Sequence, residues 1–220
     1  MNNFSVHHII PGILEKDWIE IEKKIETAKQ FSNVLHVDFI DGKFVNNLTF
    51  LDATPFKKYS GDPPAGEAGL FLEAHLMVDE PLNYLKPLAD AGFKRFLGHA
   101  EKMTDQEEFV AEGQILGEVG LALDLGSSLD LIKVPFEDLD CILLMSIKAG
   151  FSNQTFEQSS LEKIKDLRSK TDIPIEVDGG INDQTIIQAK EAGANRFVSN
   201  SFVFKSNNSS EQFKKLMGLV

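Results

Sequence analysis

His36 and Asp38 stand two residues apart in the apolar run Val34-Leu35-His36-Val37-Asp38, so on a β-strand both side chains face the same side. An imidazole offers a nitrogen lone pair and a carboxylate offers oxygens, and together they can ligate a divalent ion or move a proton. The same residue types recur at the ends of other apolar runs: His75 near the end of 70–76, His99 and Glu101 after 95–99, and Asp178 at the end of 173–178. Taken singly, each has a plain structural reading. A strand histidine is commonly a hydrogen-bonded core residue, and a strand-end aspartate commonly caps the following helix. Taken jointly, three of the five histidines and two aspartates directed at one place are costly to bury without a shared partner. His36, Asp38, His75 and Asp178 form a mixed nitrogen and oxygen set whose charge nearly balances a zinc, iron or manganese ion. These residues alone leave a metal and a shared hydrogen-bond network both open.

Whether they meet depends on the elements that carry them. Short apolar runs at 8–12, 34–38, 70–76, 95–99, 120–124, 141–146, 173–178 and 196–199 read as eight strands. Amphipathic patterns between them predict helices at 18–28, 81–91, 105–116, 159–170, 183–192 and 210–219, with short helices near 51 and after 124. A Pro and Gly-rich turn, Gly61-Asp62-Pro63-Pro64-Ala65-Gly66, precedes the third strand. Eight units in 220 residues average about 27 each, the length a parallel crossover needs, so residues 1–220 read as a single domain. The strands read as apolar on both sides, as in a parallel sheet covered by helices. Gly12-Ile13-Leu14 lacks the second glycine of a dinucleotide fingerprint, which weakens the open doubly wound sheet. The fold class is therefore α/β, a (β/α)8 TIM barrel, whose chemistry sits at the carboxyl ends of the strands.

Composition agrees with a globular protein able to bury a sizeable core: 42% of residues are hydrophobic and 25% charged. A formal net charge of −12, with no basic run longer than Lys57-Lys58 or Lys214-Lys215, argues against a nucleic-acid partner. Cys141 is the only cysteine, so no internal disulfide is expected; a buried thiol in a reducing, cytoplasmic setting is the simplest reading. No signal-like segment and no apolar stretch near the ~18 residues of a membrane span is apparent, so no membrane partner is expected. Association of copies into a homo-oligomer through an exposed barrel face is left open.

Six blocks of the sequence, in order, resemble the ribulose-phosphate 3-epimerase family over nearly the whole length. They are His36-Val37-Asp38-Phe39-Ile40-Asp41-Gly42-Lys43-Phe44-Val45-Asn46-Asn47-Leu48-Thr49; His75-Leu76-Met77-Val78; His99-Ala100-Glu101; Met145-Ser146; Gly150-Phe151 with Gln154-Thr155-Phe156; and Glu176-Val177-Asp178-Gly179-Gly180-Ile181. The resemblance implies a barrel of the ribulose-phosphate-binding type. It implies one divalent metal ion, held by His36, Asp38, His75 and Asp178. It also implies that Asp38 and Asp178 are the catalytic acid and base, interconverting D-ribulose 5-phosphate and D-xylulose 5-phosphate by 1,1-proton transfer through a metal-stabilised enediolate. The chemistry is coherent, because inverting a carbon beside a carbonyl takes a proton from one face and returns one to the other. Among the substrate-binding positions, His75 belongs with the ligands, and Met77 and Met145 match methionines that cap the intermediate, although flexible core packing explains a methionine equally well. Phosphate is expected on backbone amides of Gly150, Phe151, Ser152, Asn153, Gly179, Gly180, Asn200 and Ser201, at the mouths of the last three units.

The sequence departs from the family pattern at the rim. A substrate-contacting serine at the end of the first strand is Gly12 here, and the second-strand methionine is Ile40. In the loop after the sixth strand Ala149 stands where the family has proline, and Ser152-Asn153 where it has a glycine pair; a glycine after the eighth strand is Asn200. This drift motivates two alternatives: an epimerase of another ketose phosphate, such as a hexulose 6-phosphate, or a barrel that binds a sugar phosphate without turning it over.

Overall fold

The computed structural model describes residues 7–60 and 69–220 and shows eight parallel strands closed into a barrel in the order β1 to β8. The strands are β1 (His8–Ile13), β2 (Val34–Ile40), β3 (Phe71–Met77), β4 (Phe93–His99), β5 (Glu118–Leu123), β6 (Cys141–Met145), β7 (Ile175–Asp178) and β8 (Arg196–Ser199). Closure comes from β1 pairing with β8, His8 opposite Arg196 through Pro11 opposite Ser199. The covering helices are α1 (Trp18–Ala28), α2 (Leu82–Asp90), α3 (Gln106–Leu116), α4 (Ser159–Lys170), α5 (Thr185–Ala192), the single-turn α6 (Ser201–Phe204) and α7 (Ser209–Met217). The turn at 61–66 lies outside the described residues.

Local chemistry explains the helix boundaries. Asp17, Asp105 and Asn208 cap α1, α3 and α7 by accepting from the backbone N–H three residues on. Gly193, at φ 114°, ends α5 in the left-handed region that glycine enters without strain. The short helices expected near 51 and after 124 are 3-10 turns, at Thr54–Tyr59, Leu129–Leu131 and Phe136–Asp138. Pro55 and Pro135 lie at the starts of two of them, and such short stretches close i to i+3 bonds without reaching an α-helical register.

The two faces of the strands separate cleanly. Outward residues such as Leu35, Phe39, Leu72, Phe96, Leu121, Leu144 and Phe197 pack with helix residues including Ile25, Leu85, Phe109 and Ile164 in one large apolar layer. Inward residues Ile40, Met77, Leu97, Ala122, Cys141, Leu143 and Met145 make a second, smaller cluster inside the barrel. The expectation of strands apolar on both sides fails below this cluster. Glu73, Arg95, Glu176 and Arg196 are all buried. Their charges are tolerable because they are paired: Arg196 Nη2 donates to Glu73 Oε2 at 2.7 Å and Nε to Glu176 Oε2 at 2.7 Å, and Arg95 Nη1 donates to Glu73 at 2.5 Å. Cys141 is buried as expected, and burial pushes its thiol up to about 12.

Candidate active site at the carboxyl end of the barrel

Strand register brings the distant ligand candidates together. Asp38 sits opposite His75 and His36 opposite Glu73 across the β2–β3 pair, while Asp178 pairs with Met145 at the ends of β7 and β6. Because inward positions repeat every second residue, His36 and Asp38 share the barrel interior, one level apart. His75 Nδ1 lies 2.8 Å from Asp38 Oδ1 and 3.7 Å from Asp178 Oδ2, and His36 Nε2 lies 3.4 Å from Asp38 Oδ1. All four residues offer ligand atoms within 4.8 Å of one another.

The set passes a direct test of fit to a metal. Ligand atoms each about 2 Å from a tetrahedral ion stand roughly 3.3 Å apart; the 3.4 and 3.7 Å separations are of that size, while His75 Nδ1 and Asp38 Oδ1, at 2.8 Å, stand at hydrogen-bond distance and would part slightly to admit an ion. His36 Nε2 is buried with no hydrogen-bond partner, an arrangement that strands a polar atom unless a ligand takes its lone pair. His36 Nδ1 is already used, 2.7 Å from Glu73 Oε1 and 3.2 Å from Glu176 Oε1, which leaves Nε2 for the site. His36, Glu73 and Glu176 also lie close enough to form a metal group of their own, but the two arginines already neutralise those carboxylates. The metal reading therefore belongs to the upper set.

The electrostatics of the two aspartates differ. Burial opposes ionisation of Asp38, but the adjacent His36 and His75 imidazoles outweigh it and hold the carboxyl well below the usual range. Burial and then the charge of Asp38 push Asp178 up to about 6. Burial disfavours a charged His36, yet Asp38, Glu176 and Glu73 around it hold it well above an ordinary imidazole. Glu73 is likewise held well down: burial is overcome by the Arg196 charge and the His36 hydrogen bond. Behind His75, burial keeps His99 below its ordinary value, and Glu101, although desolvated, is drawn down to about 2 by its hydrogen bond with His99.

One cavity at this end is lined by Asp38, Asp178, Met77, Met145, the loop Gly150-Phe151-Ser152-Asn153, Gly179-Gly180 and Asn200-Ser201. It thus gathers most positions expected for substrate. Leu14, Ile147, Ile181 and Val198 line it too, and no sequence signal singled them out. His36 and His75 are fully buried beneath it and are not part of its lining. Neither is Gly12, which is packed against β8: a Cβ there would stand 2.7 Å from Val198 Cγ1 and 3.5 Å from Asn200 Cβ.

The sequence blocks that carry the resemblance acquire physical roles. Thr49 Oγ1 donates to Asp38 O at 2.9 Å and accepts from Ile40 N, so it braces the end of β2. Asn47 Nδ2 donates to Gly150 O at 2.7 Å, tying the loop after β2 to the loop after β6. Ser146 Oγ donates toward Gly179 O at 2.5 Å and fixes the turn after Asp178. Gly180, at φ 63°, leaves no room for a side chain, because a Cβ would meet Phe156 N at 2.8 Å. Asn153 takes the left-handed conformation itself, at φ 66°, whereas Asn200 at φ −101° needs none. Instead, Asn200 Oδ1 accepts from Lys24 Nζ at 3.0 Å, and Lys24 is paired with Glu15 at 2.6 Å.

Comparisons with known proteins point the same way. A family model described as "Ribulose-phosphate 3 epimerase family" matches residues 8–204. The chain is 35% identical over 215 residues to the ribulose-phosphate 3-epimerase of Schizosaccharomyces pombe, covering 96% of this chain and 93% of that protein. It is 32% identical over 221 residues to that of Bacillus subtilis, covering 96% and 98%. Among solved structures, KGPDC from Streptococcus mutans superposes with a TM-score of 0.70 over 98% of this chain and 97% of that one. At 12% identity that likeness speaks for the barrel alone. No helix among the described residues is long and apolar enough to cross a membrane.

Proposed function

The chain belongs to the ribulose-phosphate 3-epimerase family, a family of isomerases, and from that premise we propose that it interconverts D-ribulose 5-phosphate and D-xylulose 5-phosphate. The observation that carries the reading is that two carboxyl groups, Asp38 and Asp178, line one cavity above two buried histidines. Inversion at C3 needs a group that removes a proton from one face of the carbon and another that delivers a proton to the opposite face. Asp38, held as a carboxylate, removes the proton in one direction; Asp178 supplies the replacement, and the roles exchange in the reverse direction. Neither carboxylate alone serves both faces.

His36, Asp38, His75 and Asp178 would hold a divalent ion, zinc, iron or manganese. When bound it supplies positive charge for the sugar oxygen that becomes anionic as the carbon loses its proton. Met77 and Met145 cover the reacting carbons with apolar surface and exclude water, which strengthens every charge interaction inside. The phosphate end is taken by backbone N–H groups of Gly179-Gly180 and of the Gly150 to Asn153 loop, with Asn200 and Ser201 beside them on the same cavity wall. The Lys24 contact leaves the Asn200 amide group, a donor, available to phosphate oxygens.

The test is incubation of metal-loaded protein with ribulose 5-phosphate in deuterated water, followed by proton NMR at C3. Loss of the C3 proton signal with appearance of C3-deuterated xylulose 5-phosphate is expected. Asp38→Asn and Asp178→Asn are each expected to abolish turnover while the fold is retained. Bound substrate with no exchange at C3 would instead leave a sugar-phosphate-binding barrel without catalysis.

A further inference from the structure

In the loop after β6, backbone carbonyl oxygens are held by side-chain amides. Gln154 Nε2 donates to Lys148 O at 2.7 Å and to Phe151 O at 2.8 Å, so both hydrogens of its amide are used. Asn47 Nδ2, from the loop after β2, donates to Gly150 O. Carbonyl oxygens only accept, so these contacts fix which end of each amide faces the loop. The N–H groups fare differently. Ala149 N donates to Asp124 Oδ1 at 2.9 Å, but the N–H groups of Phe151 and Ser152 have no partner among the described residues. Phe151 and Ser152 both line the cavity, together with Gly179-Gly180.

A trans peptide points its C=O and the following N–H in opposite directions, so whatever holds the oxygen also aims the hydrogen. The Lys148–Ala149 peptide shows both ends in use, with Gln154 at the oxygen and Asp124 at the N–H. The Gly150–Phe151 and Phe151–Ser152 peptides have their oxygens held in the same way, by Asn47 and Gln154, and nothing at the N–H. Gly150, at φ 100°, packs directly on the loop after β2, since a Cβ there would stand 2.5 Å from Val45 Cγ2. Two consecutive bare N–H groups on a cavity wall suit an anion. We propose that Gln154, with Asn47, is a positioning residue for the phosphate end of the substrate: by holding the oxygens of these two peptides it keeps the Phe151 and Ser152 N–H groups turned toward the cavity. Without the Gln154 amide the Phe151–Ser152 peptide is free to turn over and set a carbonyl oxygen against the phosphate. This rests on the reading of the cavity as a sugar-phosphate site.

Gln154→Met tests it, because methionine keeps the length of the side chain, adds no charge and removes both donors. The assays are epimerisation kinetics with D-ribulose 5-phosphate, competitive inhibition by inorganic phosphate, and amide NMR of the wild-type protein titrated with inorganic phosphate. The variant should raise KM and the inhibition constant of phosphate together, about tenfold each, with kcat within about twofold of the wild type. A variant that lowers kcat while KM and phosphate inhibition stay unchanged overturns the proposal, and so does one in which nothing changes. The titration needs no variant. Phosphate should move the Phe151 and Ser152 amide proton signals downfield. Phosphate that shifts the Gly179 and Gly180 amides but leaves those of Phe151 and Ser152 in place overturns this inference alone. Phosphate that shifts neither pair overturns the sugar-phosphate reading and this inference together.

Discussion

Asp178→Asn should make the metal-free protein more stable while it abolishes the activity. The carboxyl is 16% exposed, lies 3.7 Å from His75 and is pushed up to about 6 from 3.8 by burial and by Asp38. A carboxyl with a raised folded pKa binds its proton more tightly in the native state, so its penalty is absent below about pH 4. The penalty grows as pH rises through about 6 and is fully imposed above that. At about 1.4 kcal/mol for each tenfold change in proton affinity, the charge costs the folded state about 3 kcal/mol at pH 8. For a chain of this size that corresponds to about 6–12 °C in Tm. The assay is thermal unfolding by circular dichroism in EDTA at pH 4 and pH 8. The variant should melt higher at pH 8 and level with the wild type at pH 4. Saturating Zn2+ should reverse the order, since a ligand at 1,000 times its Kd adds about 4 kcal/mol to the protein that retains the site. A variant no more stable at pH 8, or equally more stable at both pH values, would refute the reasoning.

Three further outcomes follow from named contacts. Arg196→Met removes the partner of two buried carboxylates and should lower stability by about 3–5 kcal/mol in urea unfolding; a loss below about 1 kcal/mol would show the charged layer to be dispensable. Gly12→Ser places a Cβ 2.7 Å from Val198 Cγ1 and should cost about 1–3 kcal/mol, relieved by adding Val198→Ala; a cost that persists in the pair would place the strain elsewhere. Lys24→Met frees the Asn200 amide to turn its oxygen toward the cavity and should raise KM about tenfold with kcat retained; unchanged KM would separate Lys24 from phosphate binding.

The barrel was legible because its signal is local and repeated: each strand carries its own apolar run, and each crossover its own amphipathic helix. The His36–Asp38 spacing was legible for the same reason, as inward residues two apart, and the structure closes the set with His75 and Asp178. The charged layer beneath was not, although Glu73 precedes His75 by two and Glu176 precedes Asp178 by two, on the same inward face. Recognising it requires knowing that Arg95 and Arg196 arrive from other strands to neutralise those carboxylates, a relation that no stretch of sequence contains. The link between Lys24 and Asn200 spans 176 positions and was hidden likewise. At Asn153 the sequence did carry the cue, since asparagine enters the left-handed region more readily than most residues and does so at φ 66°.

The most direct measurement is a crystal structure of protein soaked in Zn2+ or Mn2+, with data collected at the absorption edge of the metal. One anomalous peak enclosed by His36 Nε2, His75 Nδ1 and carboxylate oxygens of Asp38 and Asp178 is expected. A protein that takes up the ion elsewhere, or leaves these four side chains bonded only to each other at saturating metal, would contradict the account.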